Sequence, residues 1–344
     1  MKARFKKNFP LYIAILLLFV SLFYLGIRKI VYPDPVTGNA FVLNTACSIT
    51  LYASENHRLD EQLIEQSFDL CRYYERIFSR TMEGSELFQV NNRKSDSVRL
   101  SADLEPLLSD ALAYARLSGG AFNPAIGSVS SLWDFTSSSP HVPSQDQLRE
   151  GLKHVDYQSL TIKDEKLTFS DPDTKLDLGA IAKGYIADRI KEFLIEHGIT
   201  SAVINLGGNV LCIGDKKGEP FQIGIQAPFQ NRNETIALMD LSDCSVVSSG
   251  IYERCFTQDG TFYHHILDPA TGYPTDNNLV SVTIISEKSV DGDALSTACF
   301  VLGMEKGMAL IDSLPDIYAV FITEDYELHC SAGFEQAVTV TDTR

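Results

Sequence analysis

The run Leu176-Asp177-Leu178-Gly179-Ala180-Ile181-Ala182-Lys183-Gly184-Tyr185 constrains this chain more than any other segment. It sets an acid, two glycines and a lysine where a strand-like stretch gives way to a helical one. Gly179 and Gly184 let backbone approach a bound group closely, and the start of a helix offers unpaired N–H donors to an anion. Lys183 adds a mobile cation suited to phosphate, and Asp177 an acceptor for the polar edge of a ligand. Alone, the segment supports two readings equally: a phosphate site, or a strand-to-helix junction with a solvated lysine. It is not a P-loop, because no glycine-lysine pair followed by Ser or Thr is present there.

With 344 residues the chain has room for one large domain or two modest ones, and 44% apolar residues are enough for a sizeable core. A net charge of −16 argues against a nucleic-acid partner and against broad adhesion to anionic lipid. An acidic protein that binds an anion must focus its positive groups locally or recruit a metal ion.

The run Leu11 to Ile27 carries no charge, is preceded by Lys2, Arg4, Lys6 and Lys7, and is followed by Arg28 and Lys29. It sits at the lower length limit for a spanning helix and also resembles a signal-peptide core. No convincing small-x-small cleavage site follows, and no cysteine lies near its end to carry a lipid. An uncleaved signal anchor is favoured over a cleaved signal. The charge bias predicts residues 1–10 in the cytoplasm, a transmembrane anchor over 11–27, and the remainder outside. Residues 28–39, with Pro33, Pro35 and Gly38, read as a linker. Residues 40–344 read as one compact domain without repeats or low-complexity tracts. The seven cysteines form no C-x-x-C and no zinc-type spacing, and read as buried free thiols, with a disulfide as the alternative.

Within that domain, Phe41 to Tyr52 predicts a strand. Leu59, Leu63, Ile64, Phe68, Cys71, Tyr74 and Phe78 recur at helical spacing and predict an amphipathic helix ending near Ser79. Ser101 is placed to cap a second helix through Leu117, stopped by Gly119-Gly120. Ile181 to Leu194 predicts a third, closed by Gly198. Val203-Ile204, Phe221 to Ile225, Val280 to Ile285 and Ile317 to Ile322 predict strands. Val280, Val282 and Ile284 lie on one side by period-two alternation. Asp291 to Leu302 predicts a helix. Tight turns between strands favour an α+β fold rich in antiparallel sheet, with packed helices and a preceding membrane-anchor helix. A doubly wound parallel sheet is the alternative.

Four further segments bear on chemistry. In Asp293-Ala294-Leu295-Ser296-Thr297, a helix would put Asp293 and Thr297 on one face with Ser296 beside them. That is part of a shell for a hard cation such as Mg2+, or else an acidic first helical turn. His264 and His265 precede the turn Asp268-Pro269-Ala270-Thr271-Gly272-Tyr273-Pro274 and point to opposite faces if extended. One is a candidate base or phosphate partner; a structural histidine is the plainer reading of either. Asn205-Leu206-Gly207-Gly208-Asn209 suits close backbone approach to a ligand, or a tight hairpin. Gly119-Gly120-Ala121-Phe122-Asn123-Pro124 with Trp133-Asp134-Phe135 could hold a flat heterocycle, or pack a core. No Gly-x-Ser-x-Gly elbow and no Gly-x-Gly-x-x-Gly after a strand is present.

The order of these segments resembles the ApbE family, the FAD:protein FMN transferases. The resemblance runs from about Asn44 to Gly303 through ERIFSR (75–80), SEL (85–87), GAFNP (120–124), LDLGAIAKGYIADR, INLGGNV, SSGIYERCF, HHILDPATGYP and DALSTACFVLG. It implies an ApbE-like fold rich in antiparallel sheet and a site where Mg2+ sits on the diphosphate of FAD. It further implies that Asp177 and Lys183 hold FAD, with contacts from Leu43, Thr81, Ala121, Phe122, Asn123 and Leu267. Thr81 aligns with a position that is aromatic in some members. Asn123 stands where Asp is common, which keeps a polar contact without the charge. Leu43-Asn44-Thr45 stands where the family has Met-Gly-Thr, which questions close backbone approach at Asn44. Metal positions fall on Ala180, through its carbonyl, and on Asp293, Ser296 and Thr297. His265 matches a near-invariant histidine, and is the expected proton acceptor or phosphate-orienting group; Lys183 and Asp293 complete the catalytic set.

The activity so implied is Mg2+-dependent transfer of FMN from FAD to a Thr or Ser hydroxyl of an acceptor flavoprotein, with release of AMP. A membrane redox-pump subunit is one acceptor that suits a tethered enzyme. The alternatives are an FAD pyrophosphatase, with water attacking in place of the acceptor, and an extracytoplasmic flavin-binding protein without turnover. The expected location is the cell membrane, with a single-pass anchor and the catalytic domain on the extracytoplasmic side.

Overall fold

Eight antiparallel strands form the main sheet, and their order across it is their order along the chain. They are β1 (Val36–Val42), β2 (Thr45–Leu51), β3 (Ala202–Leu206), β4 (Asn209–Ile213), β5 (Ser245–Gly250), β6 (Leu279–Ser286), β7 (Tyr318–Thr323) and β8 (Leu328–Cys330). The computed structural model describes residues 34–52, 57–135, 139–231 and 234–343. The expected cytoplasmic segment, the anchor at 11–27 and the first residues of the linker lie outside the described residues. Every neighbouring pair in the sheet is antiparallel, which rules out the doubly wound alternative.

Four long helices are inserted between these strands: α1 (His57–Phe78), α2 (Leu104–Leu117), α3 (Ala182–Glu196) and α4 (Ser289–Asp312). α1 follows the expected apolar spacing, except that Leu59 is exposed. α2 begins as expected, with Ser101 Oγ accepting the Leu104 N–H at 3.1 Å. Gly198, at φ +83°, closes α3. α4 spans the expected helix and continues beyond it. Gly303, at φ +75°, marks the expected end, and a kinked continuation runs to Asp312. By length and composition α4 could cross a membrane. It instead packs on α3, β5 and β6 and buries Asp293 and Ser296, which makes it a core helix.

Three expectations change. Phe41 to Tyr52 is not one strand. β1 and β2 are joined by a two-residue turn at Leu43 (φ +54°) and Asn44 (φ +56°), closed by the Val42–Thr45 pair. Neither residue announces a hairpin as Asn-Gly would. β1 begins at Val36, so the last residues of the expected linker belong to the sheet. In β6 all eight residues are buried, so its alternation separates two covered faces rather than core from solvent.

Smaller sheets flank this frame. Ser97–Arg99, Lys166–Phe169 and Leu160–Lys163 form one; Thr339–Thr343, Thr235–Leu241 and Phe221–Gln226 form another; Cys255–Gln258 and Thr261–His264 form a hairpin. One large core joins α1, α2 and α3 to β2, β3 and β4, and a second joins β5–β7 to α4 and the strands at 221–226 and 235–241. All seven cysteines are free; Cys47, Cys71, Cys212 and Cys299 are buried, as expected, while Cys330 is exposed.

The turn at Leu43-Asn44 makes a testable demand. Left-handed backbone disfavours L residues other than glycine, and Asn tolerates it only partly. Asn44→Gly is expected to raise the unfolding free energy by up to about 1 kcal/mol, measured by chemical denaturation. Destabilisation would contradict the turn.

Candidate active site

Two segments far apart in sequence close on one carboxylate. Asp293, in the early turns of α4, is only 4% exposed and faces the start of α3. Lys183 Nζ donates to its Oδ1 at 3.0 Å, and the Gly184 N–H donates to its Oδ2 at 2.8 Å. A Cβ built on Gly184 would lie 2.3 Å from the Ser289 carbonyl oxygen, so glycine is required for this approach. Lys183, expected as a mobile cation, rests here on Asp293. It is already paired, about 30% exposed, at the edge of the site.

A ledge of hydroxyls continues from Asp293. Ser296 is fully buried, and its Oγ donates to the Asp293 carbonyl at 3.1 Å. Ser249, in the last residues of β5, places its Oγ 2.8 Å from Ser296 Oγ and 3.2 Å from Thr297 Oγ1. Thr297 lies one turn beyond Asp293 on the same face. Ala180, in the turn before α3, is partly exposed and offers only its carbonyl. The donors of this ledge are oxygen throughout: one carboxylate and three hydroxyls. Mg2+ takes such a set with one or two carboxylates, leaving its other positions to water and phosphate. By donor chemistry Asp293, Ser296 and Thr297 would suit such an ion, and Lys183 Nζ rests 3.0 Å from Asp293 Oδ1.

Asp177 is likewise engaged. Arg80 Nε lies 2.8 Å from Oδ2, Ser130 Oγ donates to the same oxygen at 2.6 Å, and the Gly179 N–H donates to Oδ1 at 2.9 Å. The Asp177 N–H donates to the Pro124 carbonyl at 2.9 Å, which ties this segment to the stretch Ala121-Phe122-Asn123. Within that stretch, Phe122 is buried edge-on against Tyr114 and its N–H donates to Ser118 Oγ. Asn123 Oδ1 accepts the Ala125 N–H at 2.9 Å, and Ala121 is partly exposed. Thr81, next to Arg80, is exposed. Leu43 packs partly against the large core, at the turn between β1 and β2. The Leu267 side chain is buried in a third core cluster with Val129, Trp133 and Leu148.

The two histidines divide their roles. His264 is buried; its Nε2 lies 3.1 Å from the Thr275 carbonyl and its Nδ1 accepts the Ile266 N–H at 3.3 Å. It is a structural residue in the neutral form. His265 follows the strand, and its buried Nδ1 has no hydrogen-bond partner among the described residues. Burial, then the Arg254 cation, push His265 down to about 3, with Lys183 adding to the effect. A neutral ring with an unspent nitrogen, within electrostatic reach of Lys183, can accept a proton or orient an oxygen.

The structure corrects one candidate and adds others. Trp133 does not present a ligand platform: it is 4% exposed, stacked on Phe135, with Nε1 donating to the Gly272 carbonyl at 2.9 Å. Gly207-Gly208 is the turn of the β3–β4 hairpin, at φ +68° and +95°. Sequence reasoning missed Arg80, Ser130 and Ser249. Arg80 and Ser249 stand in motifs whose partners lie far along the chain, so no local spacing signalled them. A separate grouping, His154, Asp171 and Asp173, brings ligand-type atoms within 4.8 Å of one another. There the Asp171 carboxylate is already paired with His154 Nδ1, the Asp173 N–H and Thr174 Oγ1.

Comparisons with known proteins agree on one family. The model of the ApbE family matches residues 43–322. An FAD:protein FMN transferase of Treponema pallidum is 36% identical over 320 residues, covering 88% of each chain. One from Klebsiella pneumoniae is 38% identical over 276 residues, covering 79% of this chain and 86% of its own. Among solved structures, the ApbE protein of Thermotoga maritima superposes with a TM-score of 0.81 at 32% identity, covering 88% of this chain and 99% of that one. The flavin transferase ApbE of Vibrio cholerae gives 0.80 at 26% identity, with the same coverage.

Burial pushes His264 down from 6.5 to about 4, so its folded value lies below the unfolded one. The stability tied to its neutral form is present above about pH 6.5 and is lost as pH falls through the folded value, by at most about 1.4 kcal/mol per pH unit. His264→Gln, which cannot titrate, is expected to lose less unfolding free energy than the parent between pH 6.5 and 4, by denaturant titration. Equal losses would contradict the assignment.

Proposed function

The chain belongs to the ApbE family, and on that premise we propose that it is an FAD:protein FMN transferase that works with Mg2+. FMN passes from FAD to a Ser or Thr hydroxyl of an acceptor flavoprotein, and AMP leaves. The observation that carries the reading is the meeting of Lys183, Gly184 and Asp293 on one carboxylate beside the hydroxyls of Ser249, Ser296 and Thr297.

In this reading the acceptor hydroxyl forms a bond to the phosphorus on the FMN side. The diphosphate P–O bond breaks, and the bridging oxygen leaves with AMP. Such transfer depends on positioning and on neutralising charge more than on covalent chemistry by the protein. Asp293, Thr297, Ser296 and the Ala180 carbonyl would hold the ion, and a bound ion would supply charge neutralisation at the diphosphate. Lys183 stands at the edge of the same carboxylate, where it can turn to a phosphate oxygen. His265 is neutral and has a free Nδ1, so it can take the hydroxyl proton; an adjacent anionic phosphate raises its basicity from its present low value. Asp177, fixed by Arg80 and Ser130, together with Ala121, Asn123, Leu43 and Thr81, lines the flavin nucleotide. Phe122 and Leu267 have buried side chains, so contacts at those two positions fall to the main chain.

The uncharged run at 11–27, with its basic flanks, supports a single-pass anchor in the cell membrane and a catalytic domain on the extracytoplasmic side. A redox-pump subunit in the same membrane suits an enzyme held there.

Incubating the protein with FAD, Mg2+ and an acceptor bearing a Ser/Thr flavinylation site is expected to give fluorescent, covalently labelled acceptor. FMN release without labelling would make it a pyrophosphatase, and unchanged bound FAD a binding protein. Asp293→Ala is expected to lower transfer by about a hundredfold or more; unchanged turnover would contradict the metal reading. Ser249→Ala is expected to raise the Mg2+ concentration needed for half-maximal rate, with the rate at saturating Mg2+ largely kept. An unchanged Mg2+ requirement would remove Ser249 from the site.

A further inference from the structure

The two helices that meet at Asp293 lack caps of their own. The residue before α3 is Ile181 and the residue before α4 is Lys288, and neither side chain accepts a bond from its own helix. Isoleucine has no acceptor and lysine only donates. The first N–H groups of both helices therefore need partners from elsewhere.

Each helix supplies part of what the other needs, while the Ala182 N–H at the start of α3 donates to the Leu178 carbonyl at 2.9 Å. Asp293 on α4 accepts the Gly184 N–H of α3 at 2.8 Å. Asp188, one turn after Gly184 on α3, accepts the Ser289 N–H on Oδ1 at 2.8 Å and the Val290 N–H on Oδ2 at 2.9 Å. Asp293 in turn lies about one turn after Ser289. The arrangement is reciprocal: each helix start donates to a carboxylate one turn inside its neighbour. The two backbones touch at its centre, where a Cβ on Gly184 would lie 2.3 Å from the Ser289 carbonyl oxygen. Asp188 is 9% exposed, and both its oxygens are committed to main-chain donors.

We infer that Asp188 is a positioning residue for the metal site: by capping α4 from α3, it holds Asp293 in one place and orientation against Lys183 and Gly184. The inference rests on the reading of Asp293 as a metal-holding carboxylate. Asp188 does not touch the hydroxyl ledge, and acts through the first turn of α4. Without it, two buried N–H groups lose their acceptors and α4 is free to shift along α3. Asp293, Ser296 and Thr297 ride on that helix and shift with it. A cap that served stability alone would leave the metal site intact in any variant that still folds.

The test uses the full-length protein in detergent, with FAD and no acceptor, and follows Mn2+ binding by electron paramagnetic resonance. Asp188→Asn keeps one acceptor oxygen but turns an amide NH2 towards a backbone N–H. It is expected to weaken Mn2+ binding at least tenfold. Val320→Ala, in the middle of β7, lowers stability without touching either helix start and is expected to keep parental affinity. Amide hydrogen exchange, which needs no metal, is expected to speed up at Gly184 in Asp188→Asn, although the acceptor of that N–H, Asp293, is unchanged. Asp188→Glu keeps the carboxylate on one more methylene; it is the variant to use if Asp188→Asn does not fold, and is expected to weaken Mn2+ binding several-fold. Parental Mn2+ affinity and parental Gly184 exchange in a folded Asp188 variant would overturn the inference. Asp293→Ala, run alongside, tests the underlying reading separately: if it binds Mn2+ like the parent, the metal is elsewhere and the inference falls with that reading.

Discussion

The Asp293 carboxylate is the contact on which the rest of the site depends. A carboxylate buried to this degree costs several kcal/mol unless it is paired and hydrogen-bonded. Here it is both, through Lys183 Nζ and the Gly184 N–H. These partners come from a segment separated from Asp293 by three β-hairpins and most of the second core, so the contact forms only when the fold is complete. It also leaves the site close to neutral. Lys183 offsets Asp293 and Arg80 offsets Asp177, so under the proposed function a dianionic diphosphate would need additional positive charge, which a divalent ion would supply.

The sheet explains how such distant segments converge. Because its eight strands run in chain order, each long insertion leaves and re-enters between neighbours. The insertion between β2 and β3 carries Ala121-Phe122-Asn123, Asp177 and α3; the one between β6 and β7 is α4. β5 lies beside β6 and delivers Ser249 to the Ser296 and Thr297 hydroxyls. The turn closing β3 and β4 meets the other end of the frame: a Cβ on Gly207 would lie 2.3 Å from Thr45 Oγ1, beside the Leu43-Asn44 turn. The meander brings four insertions to the same frame without a single parallel crossover.

Much of this was legible in the sequence because it is local or carried by motif. Helical spacing marked α1, Ser101 marked the start of α2, and Gly198 marked the end of α3. The order of the motifs points to the family, and two residues expected in one site, Asp293 and Lys183, pair in the structure. The losses have one physical cause, partners chosen at long range. Nothing near Asp177 announces Arg80 or Ser130, and nothing near Lys288 announces that Asp188 caps its helix. Leu43-Asn44 makes a turn without the Asn-Gly type of pair that advertises one, so two strands read as one. Trp133 beside a glycine-rich segment reads as well for a ligand platform as for a core; only the packing of Phe135, Phe256, Tyr263 and Tyr273 around it decides.

The central claim is that the oxygen cluster opened by Asp293 is where a divalent ion meets the diphosphate of FAD. Anomalous diffraction from crystals grown with Mn2+ and FAD measures this directly. The account predicts one strong peak within bonding distance of an Asp293 oxygen and Thr297 Oγ1, bridged to phosphate oxygens, with Lys183 turned away from Oδ1. A peak at His154, Asp171 and Asp173 instead, or a diphosphate bound with Asp293 still held by Lys183 and no ion beside it, would contradict it.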